Sequence, residues 1–262
     1  MFRRLLLLPV VAFLSGLHAA AGPCGFAQQL LAGDFVVQTA VYAGDESTPV
    51  AENRTVFVGD KVYDELLGEP NEISVLNLND PVVELLDVRR KVKSTLTGND
   101  LLQFVAAMKV EALQAKSPLA RFAAAPHFEL LQHEDTHQFR LKSEWLEYQV
   151  QTVDCDPQIS QKYRKFCDWY ARLNATRVGA LPPHARLELN SQLTIHPRFP
   201  TRIQLTIRNE KTAQELISRH ELIEKLSDDD QQRIRQIDLD VTTFREVPLT
   251  EFRGLKLADS QR

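Results

Sequence analysis

The chain is short of glycine and cysteine and has no excess of basic charge, and each shortage narrows what it does. It holds 10 glycines and 3 cysteines in 262 residues. No Gly-rich phosphate loop and no GxSxG turn occurs, so the usual signatures of P-loop nucleotide chemistry and of α/β-hydrolases are missing. Lysine and arginine number 31 against 35 acidic residues, a formal charge of −4. Without a basic stripe the chain lacks the electrostatic footprint of a nucleic-acid binder. Beyond the first 21 residues no apolar run is long enough to cross a bilayer. Strands and helices do not alternate as βαβ units, so no parallel nucleotide-binding sheet is expected. No internal repeat and no low-complexity tract is present.

What is present begins with an apparent export leader. Arg3 and Arg4 precede an apolar run from Leu5 to Leu17, and Ala19, Ala20 and Ala21 supply small residues for cleavage. The expectation is a signal peptide over 1–21, one domain over 22–253 and a loose tail over 254–262, exported to the periplasm or the extracellular space. Leader removal takes two arginines and no acid, so the charge goes from −4 to −6. Pro23 before Cys24 argues against lipidation. Cys155 and Cys167 look like a pair, but Asp156 reads as an N-cap and Pro157 as the first helical residue. That places the two sulfurs roughly 15 Å apart along a helix, beyond the reach of a disulfide. Any bridge would therefore use Cys24; otherwise Cys167 is a small buried core residue.

The stretch from Asp34 to Leu96 reads as a succession of short strands: DFVVQTAVY, NRTVFVG, DKVYDELL, EISVLNL, PVVELLD and KVKSTL. Tight turns at Gly59-Asp60 and Asp80-Pro81 join them into a meander that curls as it twists. A helix follows from Gly98 to about Gln114, with Leu101, Phe104, Val105, Met108 and Ala112 on its apolar face. Residues 115–125 read as a connector. Three strands are expected over Phe128–Gln132, His137–Lys142 and Trp145–Val153. Asp156 caps an amphipathic helix lined by Ile159, Tyr163, Phe166, Cys167, Tyr170 and Leu173. A short helix before Gln192, the strand TRIQLTIR, a last strand over Glu221–Leu226 and a helix opened by Ser227 complete the order.

The sharpest chemical motif is His133-Glu134-Asp135-Thr136-His137, an HExxH. On a helix the two imidazoles share a face and reach one zinc, with Glu134 as the base for its water. Its flanks, however, read as two strands with 133–136 as the turn. Asp135 puts a charge inside the motif, and no third ligand is apparent. Asp228 to Asp230 lacks the spacing of a calcium loop and reads as a helix start. His127, His184, His196 and His220 are scattered, with surface or hydrogen-bonded roles expected. Sequons occur at Asn53 and Asn174.

The leader, the short N-terminal segment and the meander containing VFVGDKVY and VVELLD-VRRKVKSTL together resemble the periplasmic outer-membrane lipoprotein carrier superfamily. The likeness covers about Asp34 to Val110, with TRIQLTIR as a later strand. It implies an α+β fold: a curved, incompletely closed antiparallel sheet, a half-barrel, lined with apolar side chains and covered by helices. The helix from Pro157 to Ala175 and the extension beyond Asn209 depart from a minimal carrier, and no functional residue transfers by position. The resemblance implies a non-catalytic envelope protein, without cofactor, that holds lipid or the acyl chains of a lipoprotein in an apolar groove. Two other readings stay open. One is an envelope structural or interaction protein whose core is filled by Phe104, Met108, Phe166 and Tyr170. The other is a zinc hydrolase using His133, Glu134 and His137.

Overall fold

The computed structural model describes residues 33–68, 71–133, 137–193, 197–209 and 212–254. The expected signal peptide over 1–21, Cys24, His196, residues 134–136 and the expected tail from 255 lie outside the described residues. The twelve strands make one sheet in the order β12-β6-β5-β4-β3-β2-β1-β11-β10-β9-β8-β7. Its ends are β12 and β7, so the sheet does not close into a barrel.

The first half is a meander in chain order: β1 (Phe35–Ala43), β2 (Ala51–Val58), β3 (Lys61–Leu67), β4 (Glu72–Asn77), β5 (Val82–Asp87) and β6 (Val92–Thr97). Each strand pairs antiparallel with the next. The two-residue Gly59-Asp60 turn between β2 and β3 needs a left-handed residue, and Gly59 supplies it at φ +56°. The second half returns from the far edge: β7 (Glu129–His133), β8 (Gln138–Lys142), β9 (Leu146–Asp154), β10 (Arg198–Arg208) and β11 (Ala213–Ile223). β11 closes against β1, so β1 joins the two halves. A bulge in β10 between Pro200 and Arg202, opposite β9, adds local bend and twist. The two-residue β12 (Arg245–Glu246) runs parallel to β6.

Among the described residues six helices accompany this sheet: α1 (Gly98–Leu113), α2 (Pro118–Ala124), α3 (Pro157–Asn174), α4 (His184–Gln192), α5 (Asp228–Thr243) and α6 (Leu249–Phe252). The curved, unclosed, helix-covered α+β sheet is therefore present. Phe35, Val36 and Val37 at the start of β1 are all 0% exposed, because helices lie over both faces there. On one face Phe35 and Val37 join Phe57, Leu101, Tyr163, Phe166 and Phe199. Phe35 stacks on Phe57 with centroids 4.1 Å apart, and Phe57 meets the Phe166 edge at 5.6 Å. Each fully buried phenylalanine contributes about 2–3 kcal/mol of hydrophobic stabilisation. On the other face Val36, Val56, Tyr63 and Ile73 pack against Ile237 of α5.

The helix ends follow local chemistry. Thr97 and Asp100 form a capping box on α1, and Ser227 and Asp230 form one on α5. Asp156 caps α3 with Pro157 in its first turn. Four expectations need correction. The connector over 115–125 contains α2, started by a Ser117 cap followed by Pro118. Phe104 is 43% exposed, so α1 buries Leu101, Val105 and Ala112 instead. The last long strand is β11 over Ala213–Ile223 and not Glu221–Leu226. A further short strand and a short helix, β12 and α6, follow α5.

Candidate binding cavity

Between the sheet and α3 and α4 lies a cavity of about 600 Å³. Its floor comes from β1, β2, β3, β9, β10 and β11, where side chains of alternate residues point the same way. Val41, Leu146, Leu205, Ile207 and Leu216 make the apolar part of that floor. Phe166, Tyr170, Ala171 and Ala175 of the α3 region and Leu181, Pro182, Pro183 and Ala185 of the α4 region line the roof. Phe166 and Tyr170 thus form walls of the cavity and do not plug it.

A few polar groups converge on this apolar space. Asp64 comes from β3, on the same face as Val62, and is 4% exposed. Its carboxylate accepts from Thr55 Oγ1 at 2.6 Å and from Asn53 Nδ2 at 2.9 Å. Burial raises its pKa to about 6 even though these donors pull it down. His220 of β11 is held from three sides. Its Nδ1 lies 3.0 Å from Thr39 Oγ1 and 3.3 Å from the Tyr163 hydroxyl, and its Nε2 lies 3.0 Å from Ser218 Oγ. Burial, with a smaller push from the Arg186 charge, lowers its pKa to about 3. The imidazole is therefore neutral at ordinary pH. The Ser218–His220 contact resembles a nucleophile with its base, but a ring with so low a pKa is a weak base. Burial also pushes the Cys167 thiol up, away from the reactive thiolate. Cys155 and Cys167 are both free thiols.

The permanent charge on the cavity wall is Arg186, from the first turn of α4. Arg186 is half-buried and lines the cavity together with residues of α3, β9 and β11. Its charge acts on Tyr148, Tyr163, Cys167 and His220, all of them cavity-wall residues. Its Nε donates to Asn190 Oδ1 at 3.1 Å, and Asn190 Nδ2 in turn donates to Asp168 Oδ1 at 2.9 Å. Among the described residues no carboxylate makes an ion pair with Arg186. A smaller pocket of about 370 Å³ on the opposite face, beside α5, is different. There Arg54 is held by Asp230 at 2.6 and 2.9 Å, and Arg233 by Glu65.

The HExxH residues lie elsewhere. β7 ends at His133, which pairs with Gln138 at the start of β8. His137 has a left-handed backbone, φ +51°, and its carbonyl accepts from Thr152 N and Oγ1 at 2.9 Å each. Its Nδ1 lies 3.8 Å from Asp154 Oδ1. Glu134 is outside the described residues. The zinc chemistry needs a shared helical face, and the described flanks are strands. Asp230 uses its carboxylate on Arg54 and on the Ser227 cap. Asn53 donates to Asp64 from within a paired strand, and Asn174 ends α3.

Sequence reasoning left Asp64 and Arg186 unmarked and placed His220 among scattered histidines. One signal was available for Asp64: a carboxyl alternating with Val62 and Leu66 on a strand face that is otherwise apolar. Arg186 gave none, because α4 has polar residues all around and its burial comes from the packing of distant elements. Fold and site together define a helix-covered α+β half-barrel with an apolar cavity between sheet and helices and a half-buried cation on its wall. No protein-family model matches the chain, and no curated protein matches it by sequence.

Proposed function

We propose that this is an exported envelope protein that binds lipid or lipoprotein acyl chains in the cavity between its sheet and α3–α4, without catalysing a reaction on them. The observation that carries the reading is the apolar space of about 600 Å³ that Phe166 and Tyr170 line. Its size is in the range of small-molecule sites, roughly 300–1,000 Å³, and such sites are apolar with a few fixed polar groups. Each buried methylene contributes about 0.8 kcal/mol, so a chain of a dozen carbons gains on the order of 10 kcal/mol before ordering costs. The apolar run of the leader supports export. A filled structural core is the competing reading, and Phe104, 43% exposed, does not contribute to such a filling.

Titrating the delipidated chain with a neutral fluorophore that brightens in apolar surroundings, such as N-phenyl-1-naphthylamine, tests this directly. Saturable binding that Ala171→Trp reduces at least several-fold is expected, because the new ring occupies the roof of the cavity. Absence of binding, or binding indifferent to that substitution, rejects the reading.

A further inference from the structure

The cavity contains more polarity than an acyl chain needs, and that polarity is not symmetric. Arg186 carries five N–H donors in a planar fork and stays charged at any physiological pH. One of those donors is engaged by Asn190, a neutral amide, and the guanidinium also hydrogen-bonds the neutral Cys167 thiol. The carboxylate of Asp168 is reached only through that amide. A cation drawn even partly out of water without an opposing charge is costly to hold. On the other face the buried-side arginines Arg54 and Arg233 do have carboxylate partners. Arg186, on the wall of the larger cavity, has no such partner among the described residues.

The surroundings of Arg186 bear on what sits against it. Thr39, Tyr163 and Ser218 present hydroxyls around a neutral His220. Asp64 also lines the cavity. A head group with two negative charges would face one cation together with a carboxyl group, whereas a singly charged head is neutralised by the one cation. The planar fork matches a carboxylate bidentately. Size sets the rest of the molecule. At about 30 Å³ for each water-sized group, the volume holds on the order of 20 non-hydrogen atoms. That is one chain with a small head, and not a two-chain lipid.

Resting on the acyl-binding reading above, we propose that the ligand is a single-chain amphiphile with a carboxylate head, a free fatty acid. Its head pairs with Arg186 and its chain lies along Val41, Phe166, Leu205, Ile207 and Leu216. Arg186 is then the residue that selects the head group, and the apolar wall is indifferent to it.

The test uses the full delipidated chain loaded with N-phenyl-1-naphthylamine and challenged with dodecanoate, dodecanol or dodecyl phosphate. Dodecanoate is expected to displace the probe roughly tenfold or more better than dodecanol, the scale of a charge-assisted hydrogen-bonded pair. Arg186→Gln should remove that preference, bringing dodecanoate and dodecanol to within about twofold of each other in the same variant, and Arg186→Lys should restore part of it. Equal displacement by dodecanoate and dodecanol in the unaltered protein overturns the head-group assignment and leaves the acyl-binding reading standing. Strongest displacement by dodecyl phosphate overturns the carboxylate in favour of a phosphate. Probe binding without displacement by any chain refutes the inference, and failure of the probe itself to bind refutes the acyl-binding reading beneath it. Should Arg186→Gln not fold, the three-ligand comparison on the unaltered protein decides the matter alone.

Discussion

Asp64→Asn removes a carboxyl group that lines the cavity and leaves its shape nearly unchanged. In the folded protein burial raises the pKa of Asp64 to about 6 from an ordinary 3.8. A raised carboxyl pKa means that the folded state holds its proton more tightly than the unfolded chain. The stability this confers is complete below the unfolded value of 3.8 and is lost as pH rises through about 6. A difference of about two pKa units corresponds to about 3 kcal/mol between the two ends of that window. Asparagine does not titrate, so the variant lacks this loss. Urea unfolding of both proteins between about pH 4 and pH 7 should therefore show the variant gaining on the unaltered chain by about 2–2.5 kcal/mol, most of the full difference, across the range. Groups common to both proteins cancel in this difference. His220 is one: its lowered pKa gives stability present above its unfolded value and lost as pH falls towards about 3. A difference that stays flat with pH, at unchanged urea slope, would refute the claim that Asp64 is buried against an apolar cavity wall.

Other substitutions probe the frame around the cavity. Arg54→Ala leaves the Asp230 carboxylate, 4% exposed, without its two-bond partner, and chemical denaturation should show a loss of about 2–4 kcal/mol. Burial acts to raise the Asp230 pKa, but the Arg54 and Ser227 bonds outweigh it and hold it low. That stability is present above the unfolded pKa and fades in acid, so the deficit of Arg54→Ala should shrink as pH falls. Gly98→Ala places a methyl 3.0 Å from Pro81 Cβ and from Trp169 Cη2. Overpacking should cost about 1–3 kcal/mol there despite alanine's better helix propensity, seen as a lowered Tm. Phe57→Ala empties the centre of the ring stack and should cost about 3–5 kcal/mol by the same measurement.

How much of this was legible in the sequence depended on what each residue faces. β1 to β6 were readable because alternation and turn chemistry agree, as in Val56-Phe57-Val58 turning at Gly59-Asp60. α3 was readable because Asp156, Pro157 and the Ile159-Tyr163-Phe166 spacing all point to one capped amphipathic helix. β11 was not. Its cavity-facing positions include Ser218 and His220, polar residues that erase the apolar alternation by which a buried strand is recognised. α2 was hidden by its length of 7 residues, too short to show a helical period, although Ser117-Pro118 carried a start signal. Arg186 carried no signal within α4; its place on the cavity wall depends on α3, β9 and β11, which are distant in sequence. The residues that define the candidate site are thus largely the ones that break the patterns by which the fold was read.

Native mass spectrometry of the chain purified gently from a membrane fraction tests the central claim most directly. A bound species with the mass of one single-chain fatty acid, retained by the unaltered protein and depleted in Arg186→Gln, is the predicted result. A chain at its bare mass that also takes up no added dodecanoate would contradict it.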